Sequence, residues 1–355
     1  MLLDRHEFPR AKACAGGLTV KTLRVLRYSI QPVLQRVCYG ARISWRFERE
    51  RMFAAPAPVC AMVAREEFDE FCLRQTRQAG ADFRTIRRLC GLHEDADGVR
   101  VETDAGVLAG RFLIGADGAD SQVRKLTGQF QPTDAALALE GRVPCDASEM
   151  PEMTFDFGVV DHGYGWVFPK RDHVNIGVGT FSGPARLSHE VLAAYAARKF
   201  PGRALEKPVG HRLGIGGWAY RPTSPRVFLV GDAAGLTEPL LGEGIHNAVV
   251  SGQAAAAAIE CDLAAGEPAL RTFRRRMRPI LQDLRSCRRS ARLFYGHPTL
   301  GYRILTNPVV RHALIRGFAG GLTLRTIQRF WWLSPLFPRP RIRSLAGAGA
   351  ADQLG

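Results

Sequence analysis

The stretch Val227–Ile259, VFLVGDAAGLTEPLLGEGIHNAVVSGQAAAAAI, constrains the fold of this chain more than any other. Four apolar residues, Val227 to Val230, are too few for a helix and suit a buried strand. Gly231-Asp232 ends that strand. A glycine-containing loop with Pro239 inside it follows, and the small residues from Gly244 to Ile259 predict a helix. The order is therefore strand, acidic tip, glycine loop, helix. In open α/β sheets ligands sit beyond the carboxyl ends of the strands, which makes Asp232 an acceptor for a sugar-like hydroxyl. Gly242, Glu243 and Gly244 allow backbone N–H groups to approach a flat ligand. The helix that starts at Ile245 adds its positive end. A ring that becomes anionic on reduction would be stabilised by both, and a flavin is such a ring; the alternative is an ordinary strand–turn–helix.

A second tip repeats the pattern. Phe112–Leu126 reads FLIGADGADSQVRKL: an apolar strand, then Gly115 and Asp117, then Gly118 and a polar turn. Ser121 is placed to open a helix and Arg124 to meet a phosphate or carboxylate. Two such tips about a hundred residues apart are far less expected by chance than one. GADGADSQVRK and VGDAAGLTEPLLGEGIHNA resemble the two downstream FAD motifs of the p-hydroxybenzoate-hydroxylase-like flavoproteins. Within that group the chain is most similar to the geranylgeranyl reductase family, from about Leu2 to Ile259.

The resemblance implies an α/β fold. A Rossmann-like FAD-binding domain (1–30, 60–130 and 221–262) would carry an inserted, mainly antiparallel β-sheet substrate domain (31–59 and 131–220). A basic helical region (263–344) and a disordered tail (345–355) would follow. It also implies that Asp4, at the end of the Met1–Asp4 strand, holds the adenosine ribose. The family's strand–GxGxxG segment belongs roughly 20–30 residues before such an acid. Gly177-Val178-Gly179 has no helix after it, and Gly242-Glu243-Gly244 belongs to the ring-side loop. The N-terminal glycine turn is therefore expected to be missing, through a late start or a truncation, and the chain as given to bind FAD poorly.

Lys12-Ala13-Cys14-Ala15-Gly16-Gly17 is similar to the family's K-P-C-G-G stretch beside the flavin, with Ala13 and Ala15 as departures. A lone cysteine such as Cys14 is more often a small buried hydrophobe than a redox group. Arg65-Glu66-Glu67-Phe68-Asp69 begins a helix to about Gln78, ended by Gly80, and the family's R-x-x-F-D pattern puts Arg65 near FAD. Arg42–Glu50 alternates and reads as one strand. Val99–Thr103, turned at Asp104–Gly106, reads as a hairpin leading into the Phe112 strand. In the strand-rich part, Tyr164, Trp166 and Phe168 share one strand face, as either a sheet core or the wall of an apolar pocket. Followed by Pro169 and, seven residues on, by Gly177-Val178-Gly179, they resemble the family's Y-x-W-x-F-P-x(7–8)-G-x-G signature. The resemblance implies that Tyr164, Trp166, Phe168, Pro169, Gly177 and Gly179 line a lipid pocket. Flavin halogenases carry a related W-x-W-x-I-P pattern.

Charge is segregated. Between Ala265 and Leu345 the chain has 17 Arg, no Lys and two acids, which accounts for the whole net charge of +15. Helices are expected over Arg271–Phe294, Pro308–Phe318 and Thr323–Trp332. Such a patch suits either a solvated arginine face or an anionic membrane surface, with Trp331 and Trp332 at the interface. Nucleic acid is not expected, because no binding motif accompanies the charge. Eight scattered cysteines without metal-ligand spacing suggest reduced thiols and no metal site. With no signal peptide and no run of about 18 apolar residues, a cytoplasmic protein is expected, peripheral on the inner face of the membrane.

The expected activity is FAD-dependent reduction of isolated C=C bonds in a polyprenyl lipid. NAD(P)H or ferredoxin would donate the electrons, and Tyr164 and Cys14 are the candidate proton donors. The alternatives are an aromatic hydroxylase or halogenase of the same superfamily, which would consume O₂, and a non-catalytic lipid-binding remnant.

Overall fold

The structure is a computed structural model that describes residues 1–132, 136–181, 187–338 and 345. Its contacts divide the chain into two compact units.

The first unit comprises Met1–Arg10, Asp69–Ala135 and Arg212–Arg285. Two short parallel pairs form its strand framework. Leu2–Asp4 pairs with Phe83–Thr85, and Leu113–Gly115 pairs with Val227–Leu229 in the register Leu113–Val227. The two acidic tips thus leave adjacent, hydrogen-bonded strands, although about a hundred residues separate them. Leu89–Glu94, Val99–Thr103 and Gly106–Gly110 make a three-stranded antiparallel sheet with the expected turn at Asp104-Ala105. The helix after the Asp232 tip runs Ile245–Ala265, six residues past its expected end. Its Ala254, Ala255 and Ala258 pack with Val227–Val230, Phe273 and Met277 in one core. Small side chains let helix and strand approach to interior packing density. Among the described residues this is the one helix long and apolar enough to cross a membrane by length and composition.

The second unit comprises Ala11–Phe68, Ala136–His211 and Ser286–Gly355. Its centre is a seven-stranded sheet in the order Glu206–Leu213, Ala136–Pro144, His173–Thr180, Gly163–Pro169, Thr154–Phe157, Gly40–Trp45, Glu48–Ala54. From Ala136–Pro144 to Glu48–Ala54 neighbouring strands are antiparallel, except where Thr154–Phe157 runs parallel to Gly40–Trp45. The helix His189–Lys199 covers one face with Leu192, Tyr195 and Ala196. A smaller sheet joins Gly17–Thr19, Cys60–Val63 and Leu34–Cys38.

Several expectations change here. Arg42–Glu50 is not one strand but the two arms of a hairpin, turned at Arg46 and Phe47 with φ of 52° and 64°. The turn lacks the Gly, Asn or Asp that positive φ favours, so no local signal announced it. A helix at Pro298–Thr306 was not anticipated. By contacts, residues 11–30 and 60–68 fall in the second unit and 263–285 in the first. Apart from Leu345, the tail expected to be disordered lies outside the described residues.

Candidate active site

Asp232 sits in a short turn, Gly231–Ala234, directly after its strand. Its Oδ1 accepts from the Thr237 hydroxyl (2.8 Å) and its Oδ2 from the Gly214 N–H (3.1 Å). A carboxylate offers about four acceptor sites, so capacity for a ligand hydroxyl is left. The loop presses on this acid: a Cβ on Gly244 would lie 2.6 Å from Thr237 Oγ1 and 3.3 Å from Asp232 Oδ1.

The loop itself is built by a residue that sequence reasoning missed. Glu238 is buried, and its carboxylate accepts from the N–H groups of Leu240 (2.8 Å), Leu241 (2.6 Å) and Glu243 (3.3 Å). The Gly242 N–H donates to the Glu238 carbonyl (3.1 Å). The amides of Gly242 and Glu243 therefore shape the loop instead of facing a ligand, which revises their expected role. The donors suited to an anion are the first-turn amides of the Ile245–Ala265 helix, because no intrahelical carbonyl can reach them.

At the other tip, Asp117 caps the helix Gln122–Thr127. It accepts from the Ser121 hydroxyl and from the N–H groups of Gln122 (2.7 Å) and Val123 (3.1 Å). Ser121 is the N-cap, as expected. Arg124 departs from expectation. It is 7 % exposed and donates to the carbonyls of Ala119, Ala233 (2.8 Å) and Asp232 (3.5 Å). Burial lowers its proton affinity, against the pull of Asp117, Asp120 and Asp232. It ties the two tips together rather than presenting its charge to a phosphate. Asp4 accepts from the His6 N–H (2.9 Å) at the end of the first strand.

In the second unit two buried charges hold the Cys14–Gly17 loop. The Lys170 ammonium, 3 % exposed, donates to the carbonyls of Ala15 and Val63, the latter at 3.1 Å. The Glu140 carboxylate accepts from the Cys14 N–H (2.7 Å). Burial pushes the Glu140 carboxyl above its usual range, with Cys14, Asn175, Lys170 and Arg65 pulling the other way. Burial also brings Lys170 down from 10.5 to about 8, against the pull of Cys14, Cys60, Glu140 and Cys38. Burial raises the nearby Cys38 thiol to about 11. Arg65 stands at the first residue of its helix, Arg65–Gln78, with its charge felt by Glu140. Neither Glu140 nor Lys170 was singled out in the sequence. The available signal was a charge at the end of, or inside, a mostly apolar strand.

The aromatic signature is a hairpin. Tyr164 lies opposite Gly179 and Trp166 opposite Gly177. A Cβ on Gly177 would fall 2.1 Å from the Trp166 ring, so the glycine is the space that the indole occupies. Trp166 Nε1 donates to Asn175 Oδ1 (2.8 Å). Tyr164 packs against Phe155, Phe157, Phe181 and Trp166, with centroids 5.2–6.1 Å apart. Tyr164 and Trp166 are buried, Phe168 is half-buried, and Val167 faces the helix side.

The two acidic strand tips, with a helix start behind a fixed carboxylate, fit an FAD-dependent oxidoreductase, and the comparisons with known proteins show that class. A model of the FAD binding domain matches residues 1–160. The menaquinone reductase of Mycolicibacterium smegmatis is 30 % identical over 72 % of this chain and 69 % of its own length. The chloroplastic geranylgeranyl diphosphate reductase of Arabidopsis thaliana is 37 % identical over 41 % of this chain and 33 % of its own. The chain belongs to the geranylgeranyl reductase family of FAD-dependent oxidoreductases. Among solved structures, a geranylgeranyl bacteriochlorophyll reductase-like protein from Thermoplasma acidophilum shares the fold at TM-score 0.64, with 20 % identity over 98 % of this chain and 87 % of its own. A flavin-dependent brominase does so at TM-score 0.67, with 17 % identity over 94 % and 90 %.

Proposed function

We propose that this protein reduces C=C bonds in the polyprenyl chain of an isoprenoid lipid. The observation that carries the reading is the buried aromatic hairpin, Trp166 laid over Gly177 beside Tyr164 and three phenylalanines. An isolated alkene is not electrophilic. Its reduction passes through a cation-like transition state, which a dry site with aromatic faces stabilises. Relatives named for geranylgeranyl and menaquinone substrates, both of which contain isoprenoid chains, favour the same reading.

The residues present fit a flavin. Asp232 retains acceptor capacity for a ribityl hydroxyl, and the start of the Ile245–Ala265 helix supplies N–H groups and a positive dipole end for the reduced ring. The bound cofactor supplies the hydride. The chain's own part is to hold the substrate chain away from water and deliver the proton. Cys14 is the proposed donor, on a loop anchored at its N–H by Glu140 and at Ala15 by Lys170. Tyr164 is the second, within the aromatic cluster. NAD(P)H or ferredoxin is the proposed electron source.

The test supplies chemically reduced FAD and a geranylgeranyl lipid to the purified protein under anaerobic conditions and follows product mass. A gain of two hydrogens per double bond is expected. Turnover that requires O₂ and inserts oxygen or halide would instead establish the hydroxylase or halogenase alternative.

A further inference from the structure

The C-terminal layer of the second unit exposes more apolar surface than its packing explains. Its helices Pro308–Ala319 and Leu324–Phe330 and the following turn bury Ala313, Ile327 and Phe337 among themselves. Elsewhere in the layer, Leu300, Ile304 and Val309 are 41–55 % exposed, while Trp331, Trp332 and Leu336 are 52, 62 and 78 % exposed. Among the described residues, eight of the eighteen exposed large apolar side chains fall between Leu293 and Leu336. Scattered single ones need no explanation, but a concentration of them does.

The charge around them has one sign. No Asp or Glu occurs between Asp283 and Asp352. Arg303 and Arg329 are exposed. Arg316 is used differently: it donates to the carbonyls of Ser334 (2.9 Å) and Pro335 (2.8 Å) and so fixes the Trp331–Leu336 turn in place. A notch of about 290 Å³ in the same unit has Met52, Phe53 and Ile315 among its apolar lining and Arg311 and His312 as its polar members. The Arg311 guanidinium lies 5.8 Å from the Phe53 ring centroid. An apolar lining beside a cation matches a lipid phosphodiester and its first methylenes.

The long helix Ala269–Gly296, the most arginine-rich element, does not provide such a face along its first half. There Phe273, Met277, Leu281 and Leu284 are buried in the core of the first unit. The sequence had pointed to these arginine-rich helices in general; the structure singles out the shorter ones that follow.

We propose that this layer docks one-sidedly onto an anionic phospholipid bilayer. Trp331, Trp332 and Leu336 enter the interfacial zone, and Arg303, Arg311 and Arg329 meet the headgroups. Tryptophan suits this depth because its ring is apolar and its N–H polar. Apolar insertion and basic charge add in interfacial binding. The reading is independent of the substrate and of the redox chemistry. A nucleic acid would use the arginines, and its unpaired bases could stack on the tryptophans, but it has no use for the exposed aliphatic side chains such as Leu336.

The test uses the full chain, sedimented with phosphatidylcholine vesicles with and without phosphatidylglycerol. Binding is expected to need the anionic lipid and to fall about tenfold or more at high salt. On vesicles with brominated acyl chains, tryptophan emission is expected to be quenched. The exposed double substitution Trp331→Ser/Trp332→Ser should remove most of that quenching, and Arg303→Glu/Arg329→Glu should weaken binding by about tenfold or more. Equal binding to neutral vesicles would overturn the proposal. So would quenching that survives in the tryptophan variant, or salt-sensitive binding to duplex DNA that outcompetes the vesicles.

Discussion

Replacing Lys170 by Met tests the clamp on the Cys14 loop, because methionine keeps the length of the stem and removes the charge. At neutral pH two effects oppose each other. The variant loses two charge-assisted hydrogen bonds, to Ala15 and Val63, of about 1.5–3 kcal/mol each. It also escapes the desolvation of a buried ammonium, an effective cost of several kcal/mol. The absolute change in stability is therefore a poor test, and its pH dependence is a good one. Lys170 titrates near 8 in the folded protein, against an ordinary value of 10.5. Below about 8 both folded and unfolded chains carry the proton, and folding bears the full cost of burying it. Between the two values the unfolded chain binds the extra proton, so stability rises with pH. From pH 7 to pH 10 the wild-type protein should gain on the order of 2 kcal/mol over the variant. Urea unfolding of both proteins at the two pH values measures this. The other groups facing Lys170, namely Cys14, Cys38, Cys60 and Glu140, are present in both proteins. A gap that stays constant from neutral to alkaline pH would refute a lysine buried and depressed in this way.

Two further outcomes are expected. Asp232→Ala should weaken FAD binding about tenfold or more, because a hydrogen bond to a charged group contributes about 1.5–3 kcal/mol; a flavin fluorescence titration checks it, and unchanged affinity in a folded variant would remove Asp232 from the cofactor site. Gly177→Ala should displace the Trp166 ring, at an overpacking cost of about 1–3 kcal/mol, visible as a lower thermal midpoint and altered near-UV circular dichroism; a silent substitution would mean that the indole does not lie over that backbone.

The sequence itself determined what depends on neighbours along the chain. Val227–Val230, Gly231-Asp232 and the run of small residues after Gly244 specify strand, tip and helix within thirty-odd positions. The spacing from Tyr164–Phe168 to Gly177–Gly179 is a hairpin register in which the Trp166 ring needs the glycine opposite it at position 177. Ser121 and the Arg65–Gln78 helix were legible for the same reason, since caps and periodicity are local.

Only the tertiary structure decided which charges are used inside the protein. Arg124 reads as a phosphate ligand until the Asp232 tip, more than a hundred residues away, offers it the Asp232 and Ala233 carbonyls. Glu140 and Lys170 become a clamp because folding brings them to Cys14 and Ala15 from 126 and 155 residues away. A helix rich in arginine turned out to bury its apolar face, leaving the shorter helices behind it exposed. A lone charged residue has the same identity in water as in a core. What it does is set by the carbonyls, partner charges and loss of solvent that folding supplies, and those come from parts of the chain that no local pattern connects.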